Sequence, residues 1–355
     1  MQDTTMISSL TLGLDLGDRK TKIAVLDVDG EIVEESTVTT NPQSFKAVFS
    51  RFRGAVAAME VGSQSRWASD LLSQLGLVVY VANPRQLKLI YQSTDKDDRL
   101  DAQRLARLAR FDPSLLKPVK HRGDETQCDL EILKARGVLV EVRTKLVNHV
   151  RGVLKSFGVS VKRCDPTAFA AQALDVIPDA LLPGLVPLLD SLDDINAKIR
   201  EFDKTIQNLC RSHYKVEIDT VCQVNGVGPI TGLTYILTIG DPSRFRKSRD
   251  VGSYLGLRPR RADSGSSAPE LRISKCGDPR LRSLLVQSAH YILGPFGKDC
   301  DLRKWGLGKA EGGKRAKKRA VVAVARKLSV LLHRLLLTGE IYDPFRQAAS
   351  ERIAS

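Results

Sequence analysis

The chain has 355 residues, 42% hydrophobic and 27% charged, so its composition excludes a disordered or collagen-like protein and predicts two or three globular domains. A net charge of +14 favours a polyanionic partner, most often nucleic acid, over an ordinary basic soluble protein. The start of the chain lacks a signal-peptide pattern, and no apolar run reaches the roughly 18 residues that a membrane span needs. Six cysteines without a Cys-x-x-Cys pair argue against zinc and predict reduced thiols in a cytoplasmic protein.

Residues 1–118 alternate strand and helix patterns and form the first predicted domain. An apolar run over 11–28 and another over 32–39 flank the turn Asp29-Gly30 and predict a hairpin. The later patterns predict strands over 55–59 and 76–82 and helices over 45–52, 67–75 and 97–111. The resulting order, β-β-α-β-α-β-α, is typical of an α/β domain with an RNase H-like fold.

Four acidic residues of this domain would converge in such a fold. Asp15 lies within an otherwise apolar strand, where an unpaired carboxylate is costly, and Glu60 follows a second strand. Asp98 and Asp101 lie three residues apart at the start of a helix. Carboxylates gathered in this way repel one another unless a divalent cation lies between them, and such sites commonly hold Mg2+ for phosphoryl transfer. The alternative for the two helix acids is helix capping, which neighbouring aspartates of the same run would serve equally well.

Residues 119–212 are predicted to form a helical, coiled-coil arm. A long helix over 125–157 is bounded by Gly158, and the chain breaks again at Pro183-Gly184. Apolar residues then recur every three or four positions, which is the pattern of a coiled-coil seam: Leu185, Leu188, Leu192, Ile195, Ile199, Phe202, Ile206 and Leu209. The seam fits either an intramolecular helical hairpin or a dimerisation arm.

Residues 213–355 form the third predicted domain, which is mainly helical. Gly226-Val227-Gly228 joins two apolar helical stretches, as in a helix-hairpin-helix element. Backbone N–H groups at such a turn, at the start of the next helix, would bind a phosphate. The alternative is an ordinary tight turn between helices.

Ser264 is the candidate nucleophile of the third domain. It lies in a Gly/Ser loop within six residues of Arg258, Arg260 and Arg261, whose guanidinium groups would stabilise developing phosphoryl charge. A serine hydroxyl is a weak nucleophile and needs a base or a metal to take its proton. No histidine lies near it in sequence, so the four acids are the expected source of activation.

A basic stretch follows this loop and includes Lys314, Arg315, Lys317 and Lys318. Its position favours contact with a nucleic-acid backbone, and the alternative is a solvated helix start. Aromatic residues make up only 5% of the chain, which argues against base stacking as the main binding mode. The apolar run over 320–337 is interrupted by charges and predicts an amphipathic helix.

Taken in order, these motifs resemble the IS110 family of insertion-sequence transposases. The resemblance spans nearly the whole chain and comprises the Asp-Glu-Asp-Asp set, the helical arm and the glycine turn. It also includes a Gly-Leu-x-Pro-Arg-Arg segment from Gly256, Ser-Gly-Ser-Ser from Ser264, and a segment from Ile273 that reads Ile-Ser-Lys-x-Gly-x-x-x-Leu-Arg and ends at Arg282. One difference from the family pattern is the segment after Glu60, which begins Val61-Gly62 instead of Thr-Gly.

The resemblance implies a RuvC-like first domain in which Asp15, Glu60, Asp98 and Asp101 hold Mg2+, or Mn2+ in its place. It implies that Ser264 attacks a DNA phosphate and forms a covalent phosphoserine intermediate. It further implies a structured noncoding guide RNA, called a bridge RNA, that pairs with donor and target DNA. Dimers would assemble into tetramers on nucleic acid, with one protomer's acids joined to another's serine, in the cytoplasm of a bacterium at its nucleoid. Lys275, in the segment that begins at Ile273, is also expected to bind nucleic acid.

Three alternatives remain at this stage. A RuvC-type endonuclease, such as a Holliday-junction resolvase, would use the same acids with water as the nucleophile and Ser264 as a structural residue. An actin-like sugar kinase or ATPase would share the start of the chain, Asp15-Leu16-Gly17, but would need a second phosphate loop that the sequence lacks. A non-catalytic RNA-binding protein would retain RNA binding unchanged after Asp15→Asn.

Overall fold

The computed structural model describes residues 10–84, 97–262, 264, 269 and 271–346. The chain divides into two compact units, Met1–His121 and Arg122–Ser355. The second unit therefore contains all but residues 119–121 of the two segments predicted as separate domains, 119–212 and 213–355, and the division between those two stays a prediction. The described residues contain no helix long and apolar enough to cross a membrane.

The first unit is built on a five-stranded sheet with the order β3-β2-β1-β4-β5. The strands β1, β2 and β3 pair antiparallel, whereas β1, β4 and β5 pair parallel. Their bounds, in chain order, are Thr11–Leu16, Lys20–Leu26, Ile32–Thr39, Val56–Glu60 and Val78–Ala82. The structure thus confirms a mixed α/β first domain, although the predicted hairpin needs a correction.

The apolar run over 11–28 forms two strands, not one. A turn at Gly17 separates them, and the Gly17 N–H donates to the carbonyl of Lys20 at 3.2 Å. A Cβ built on Gly17 would lie 2.6 Å from that same oxygen, so this tight turn requires glycine. The prediction of a single long first strand was wrong because the apolar residues on both sides of this short polar turn read as one run.

Two layers of helix cover the sheet. On one face lie α1, Pro42–Phe49, and α2, Ser65–Gln74, whose Phe45 and Leu72 share a buried cluster with Leu14 of β1. On the other face lies α3, Asp98–Phe111, whose Leu105 is buried against Ala58 of β4. These helices confirm the three that the sequence predicts in this domain.

The second unit begins with two long helices that pack against each other. They are α4, Asp124–Ser156, and α6, Leu182–Ser212, with the short α5, Phe169–Leu174, between them. Polar contacts join the two long helices: Arg136 Nε donates to Asp203 at 2.6 Å, and Arg143 donates to Asn196 at 3.1 Å. The intramolecular hairpin is therefore present, and the dimerisation role of the arm stays a prediction.

The buried seam of α6 differs by one residue from the predicted one. Leu185, Leu192, Ile199 and Ile206 are buried as expected. The intervening buried positions are Leu189, Asn196 and Cys210, whereas Leu188, Ile195 and Leu209 are only half-buried. Leu188 and Leu209 still pack against buried clusters, so these predicted positions lie at the edge of the buried face. That face also includes polar Asn196, which a purely apolar pattern overlooks.

The remaining helices form the core that carries the serine loop. Their bounds, from α7 to α12, are Lys215–Val221, Pro229–Ile239, Asp250–Tyr254, Pro279–Leu293, Asp301–Ala310 and Lys314–Thr338. Helix α8 is the central element, and its buried Tyr235 hydroxyl donates to the Ser329 carbonyl of α12 at 2.6 Å. The long helix after residue 124 and the amphipathic helix over 320–337 are both confirmed.

Candidate active sites

Asp15 and Glu60 lie at the carboxyl ends of two neighbouring parallel strands. Leu14 of β1 pairs with Met59 of β4, so the two acids directly follow paired residues. Both acids are half-buried. Because side chains alternate along a strand and Leu14 faces α1 and α2, both acids lie on the opposite sheet face, which α3 covers.

Helix α3 runs antiparallel to β1, and two close contacts fix its direction. A Cβ built on Gly13 would lie 1.9 Å from the carbonyl oxygen of Ala102, so backbone meets backbone there. Near the other end of α3, the Arg110 side chain lies against Gly30, in the turn next to the start of β1. The first turn of α3 is therefore directed toward the Asp15 end of the sheet.

Two of the predicted acids lie in this first turn of α3. Asp98 is exposed, Asp101 is half-buried, and the Arg104 guanidinium donates to Asp101 Oδ1 at 3.0 Å. The N-terminal cap is Asp97, whose side chain accepts from the Arg99 N–H at 2.9 Å. Capping by Asp97 leaves Asp98 without that structural role.

The residue types at this acidic end of the sheet suit a metal ion, whereas the positions of their side chains do not form a metal site. Carboxylate oxygens on neighbouring elements suit a hard divalent cation. Yet within the part of the chain that the structure describes, no group of three or more His, Cys, Asp or Glu side chains is placed to hold a metal ion. The backbone brings the elements of the four acids to one end of the sheet, whereas their side chains do not point to a common centre.

Ser264 is exposed in the second unit, and it follows the first side of a two-stranded stem in the sequence. An antiparallel bridge joins Pro259 to Ile273, and the Ser274 N–H donates to the Arg258 carbonyl at 2.9 Å. The Arg260 N–H donates to the carbonyl of Arg272 at 3.0 Å. The chain thus leaves and returns at one place, which presents Ser264 to solvent.

The arginine that ends the family-like segment from Ile273 fixes the base of this stem, a role that the sequence did not predict. Arg282 of α10 donates from Nη1 to the carbonyl of Leu255 at 3.0 Å and to that of Cys276 at 2.7 Å. A Cβ on Gly256, whose φ is +67°, would lie 2.2 Å from the Cys276 N–H nitrogen, so the two sides touch through their backbones. The signal in the sequence was the fixed spacing Lys275-x-Gly277 to Arg282, whose structural meaning appears only in the fold.

The predicted cations of the stem all face solvent. Arg258, Arg260, Arg261 and Lys275 are exposed, within a few residues of Ser264 or across the stem from it. Lys275 has a φ of +55°, which is unusual for a residue with a side chain. The stem therefore offers several positive groups beside one hydroxyl, an arrangement suited to a phosphodiester.

The glycine turn connects α7 to α8, as predicted. Gly226 has a φ of +93° and packs against Tyr291 and Ile292, so a side chain there would be strained. Gly228 is the N-cap of α8, and a Cβ on it would meet nothing within 4 Å. The start of α8 is thus open on the Gly228 side, as phosphate contact would require.

The basic stretch forms the first turns of α12. Lys314, Arg315, Lys317 and Lys318 are all exposed, and the first turn carries no acid. Positive side chains at a helix N-terminus oppose the helix dipole, so they do not serve helix stability. An anionic partner at this helix end would remove that conflict.

Comparisons with known proteins match both units. A family model with the description "Transposase IS116/IS110/IS902 family" matches residues 219–296, which include Ser264 and the glycine turn. A second model, for the DEDD transposases of the IS110 type, matches residues 12–158, which include all four acids. Both matched regions are thus those of transposases.

Relatives extend the similarity over most of the chain. The transposase for insertion sequence element IS1111A of Coxiella burnetii is 28% identical over 342 residues, or 93% of this chain and 90% of that protein. A probable family 20 transposase of Pseudomonas aeruginosa is 29% identical over 94% of this chain and 98% of its own length. The pilin gene-inverting protein of Moraxella lacunata is 27% identical over 43% of this chain and 48% of its own. The chain belongs to the IS110/IS116/IS902 family of transposases.

Proposed function

We propose that the chain cuts and rejoins DNA strands with Ser264 as the nucleophile. The observation that carries this proposal is an exposed serine held on a clamped stem among exposed arginines, within a region matched by a transposase family. In the proposed reaction the Ser264 hydroxyl loses its proton and its Oγ forms an ester bond to the scissile phosphorus. The bond from that phosphorus to the sugar oxygen of one strand breaks, and that oxygen takes up a proton as the strand leaves. The guanidinium groups of Arg258, Arg260 and Arg261 stabilise the negative charge that develops on the phosphoryl oxygens.

The acidic end of the first unit would hold a divalent cation, Mg2+ or Mn2+. Asp15, Glu60, Asp98 and Asp101 would supply the carboxylate oxygens, with their side chains turned toward one another. When bound, such a cation polarises the phosphate and lowers the pKa of an attacking hydroxyl. Arg104 would release Asp101 in that arrangement, since its present hydrogen bond occupies one carboxylate oxygen.

An RNase H-like, RuvC-like fold for the first unit is supported by its strand order. Three antiparallel strands followed by two parallel ones, with an acid at each of two adjacent strand ends, fit that assignment. The mainly helical second unit and its glycine turn fit the proposed strand-transfer domain with a helix-hairpin-helix-like element.

Guidance by RNA and assembly into dimers and tetramers rest on the family resemblance and on charge. A net charge of +14 suits a complex that contains both DNA and RNA. The first test is to purify the protein from cells that carry its native flanking DNA and to sequence the RNA that co-purifies. A discrete structured RNA encoded beside the gene is expected, and its absence from folded protein would remove guidance from the proposal.

The RuvC-type endonuclease is the second candidate, because four carboxylates at one sheet end suffice for hydrolysis by water. Ser264→Ala distinguishes the two: a hydrolytic nuclease keeps cleaving, whereas a serine recombinase stops. The readout is the protein–DNA adduct that survives denaturation, with Ser283→Ala, an exposed serine of α10, as the matched control. Cleavage by Ser264→Ala at the wild-type rate would refute the serine mechanism.

A further inference from the structure

A cavity of about 1090 Å³ opens in the second unit at the stem of the serine loop. Leu257, Pro259, Ile273 and Lys275 of the stem form one side, and α11 and α12 form the other. Ligand pockets in proteins usually enclose roughly 300–1,000 Å³, so this one has room for a nucleotide or more. The chemistry proposed for Ser264 leaves the cavity without a role.

The inner wall of the cavity suits a flat aromatic ligand. Val322, Ala323 and Leu331 of α12 line it, and Trp305 of α11 faces the same space. The Lys327 ammonium lies 4.0 Å from the centre of the Trp305 ring, and burial lowers the pKa of this lysine. A base would stack on this half-buried indole by displacing the Lys327 side chain from the ring face, beside the aliphatic side chains of the wall.

The charged residues of the cavity are mostly positive. Nine arginines and lysines line it against two aspartates, Asp301 and Asp343. Glu340 pairs with Arg334 and Arg346, which still leaves a clear excess of positive charge. Apolar walls with a cationic lining are complementary to a base that carries phosphates.

The positive charge of the cavity also favours one kind of ligand over another. A second copy of the chain would bring a protein of net charge +14 to a cationic cavity, so charge disfavours it. A nucleic-acid strand satisfies both parts of the cavity, because its bases are flat and apolar and its backbone is anionic. Position favours DNA, since the cavity shares its wall with the stem that carries Ser264.

We propose that this cavity receives an unpaired nucleotide of the DNA strand on which Ser264 acts, with its base against Trp305 and its phosphates on the cationic lining. The identity of that strand rests on the proposed function of Ser264. The site would hold the strand beside the nucleophile and would favour DNA that is unpaired at the cleavage point. The seating of the nucleotide itself requires no chemistry at Ser264.

Filling the cavity tests this proposal directly. Ala323→Phe adds a ring to the wall without changing any charge, and Gln287→Phe adds the same ring at an exposed position of α10 outside the cavity. The full-length protein is titrated with fluorescent DNA duplexes that are either fully paired or carry a short unpaired segment, and with the corresponding RNA duplexes. Ala323→Phe should weaken binding of the unpaired DNA about tenfold and leave the paired duplex unchanged. Gln287→Phe should alter neither.

A second variant and a crosslink protect the test from a folding defect. Trp305→Leu removes the stacking surface without filling the space and should cause a similar selective loss. A 5-iododeoxyuridine in the unpaired segment should crosslink to Trp305 on irradiation. Equal loss on both DNAs, no loss on either, or selective loss with RNA alone would overturn the proposal. DNA binding by Ser264→Ala separates the proposed cavity from the proposed serine mechanism. This variant should keep the preference for unpaired DNA even if the serine mechanism is wrong.

Discussion

Gly13 of β1 and Ala102 of α3 meet through their backbones, such that a Cβ on Gly13 would lie 1.9 Å from the Ala102 carbonyl oxygen and 2.6 Å from the Ala106 nitrogen. This approach sets how closely the helix that carries Asp98 and Asp101 lies to the strand that carries Asp15. The spacing of the acidic site therefore depends on a residue without a side chain.

Gly13→Ala should push α3 away from the sheet. The overpacking is expected to lower the free energy of unfolding by about 1–3 kcal/mol and to reduce DNA cleavage more than DNA binding. Urea unfolding and a cleavage assay with Mg2+ measure the two effects. Gly152→Ala in α4, where a Cβ would meet nothing within 4 Å, is the matched control and should leave stability equal or higher. Normal cleavage by a stable Gly13→Ala protein would contradict this account.

Arg282→Ala should free the base of the serine stem. The substitution removes two charge-assisted hydrogen bonds to backbone carbonyls, so the Leu255 and Cys276 oxygens no longer have this donor. We expect the rate of covalent adduct formation at Ser264 to fall by about tenfold or more, while affinity for DNA changes little. Arg211→Ala, at an exposed position in the last turn of α6, controls for loss of one positive charge. Equal losses in affinity and in rate would assign Arg282 to DNA binding instead.

Replacing Lys314, Arg315, Lys317 and Lys318 by glutamine should have opposite effects on binding and stability. If the four side chains neutralise phosphates, the slope of log affinity against log salt should decrease by about 0.9 for each phosphate that is no longer neutralised. Stability at low salt should rise by roughly 0.3–1 kcal/mol per residue, because the charges oppose the dipole of α12. Salt titrations and thermal unfolding measure both. An unchanged salt slope would show that these residues only face solvent.

The cysteines should differ in their rates of alkylation according to their burial, and the rate at Cys222 should depend on pH. Burial raises the pKa of Cys222 to about 11 and also raises that of Cys210, whereas Cys128 is exposed. Only the thiolate reacts, so alkylation of Cys222 should be slow at neutral pH and should accelerate as the pH rises toward 11. Mass spectrometry after timed iodoacetamide treatment should find Cys128 modified first. Rapid labelling of Cys222 at pH 7 in folded protein would contradict the raised pKa of its thiol.

Local pattern in the sequence predicted the elements of both units well. Strands over 55–59 and 76–82 and the helix after residue 97 follow from apolar periodicity and lie where the structure has them. The sequence pattern did not predict the break at Gly17 or the burial of Asn196, because a polar residue occurs at each place where apolar residues were expected to continue. The turn is a short polar interruption between apolar residues, and the asparagine is buried by a specific partner, Arg143.

The sequence likewise predicted one part of the candidate sites and not the rest. The family resemblance selected Asp98, and the neighbouring arginines singled out Ser264. Only the fold shows that Asp97 takes the capping role and that Arg282 holds the stem. The cavity beside Trp305 had no sequence signal, because its walls come from segments that are distant in the chain. Such a cavity depends on tertiary packing, which no local pattern contains.

The close backbone contact between Gly256 and Cys276 at the base of the serine stem affects how this protein can diverge. Both ends of the serine stem are fixed at one point of the core, so the part of the chain beyond the bridge between Pro259 and Ile273 can change length or sequence while Arg282 still holds the base. Lengthening a loop whose ends are already held together costs little entropy. Grafting that segment between related chains would therefore exchange the residues around Ser264 while the supporting helices stay the same.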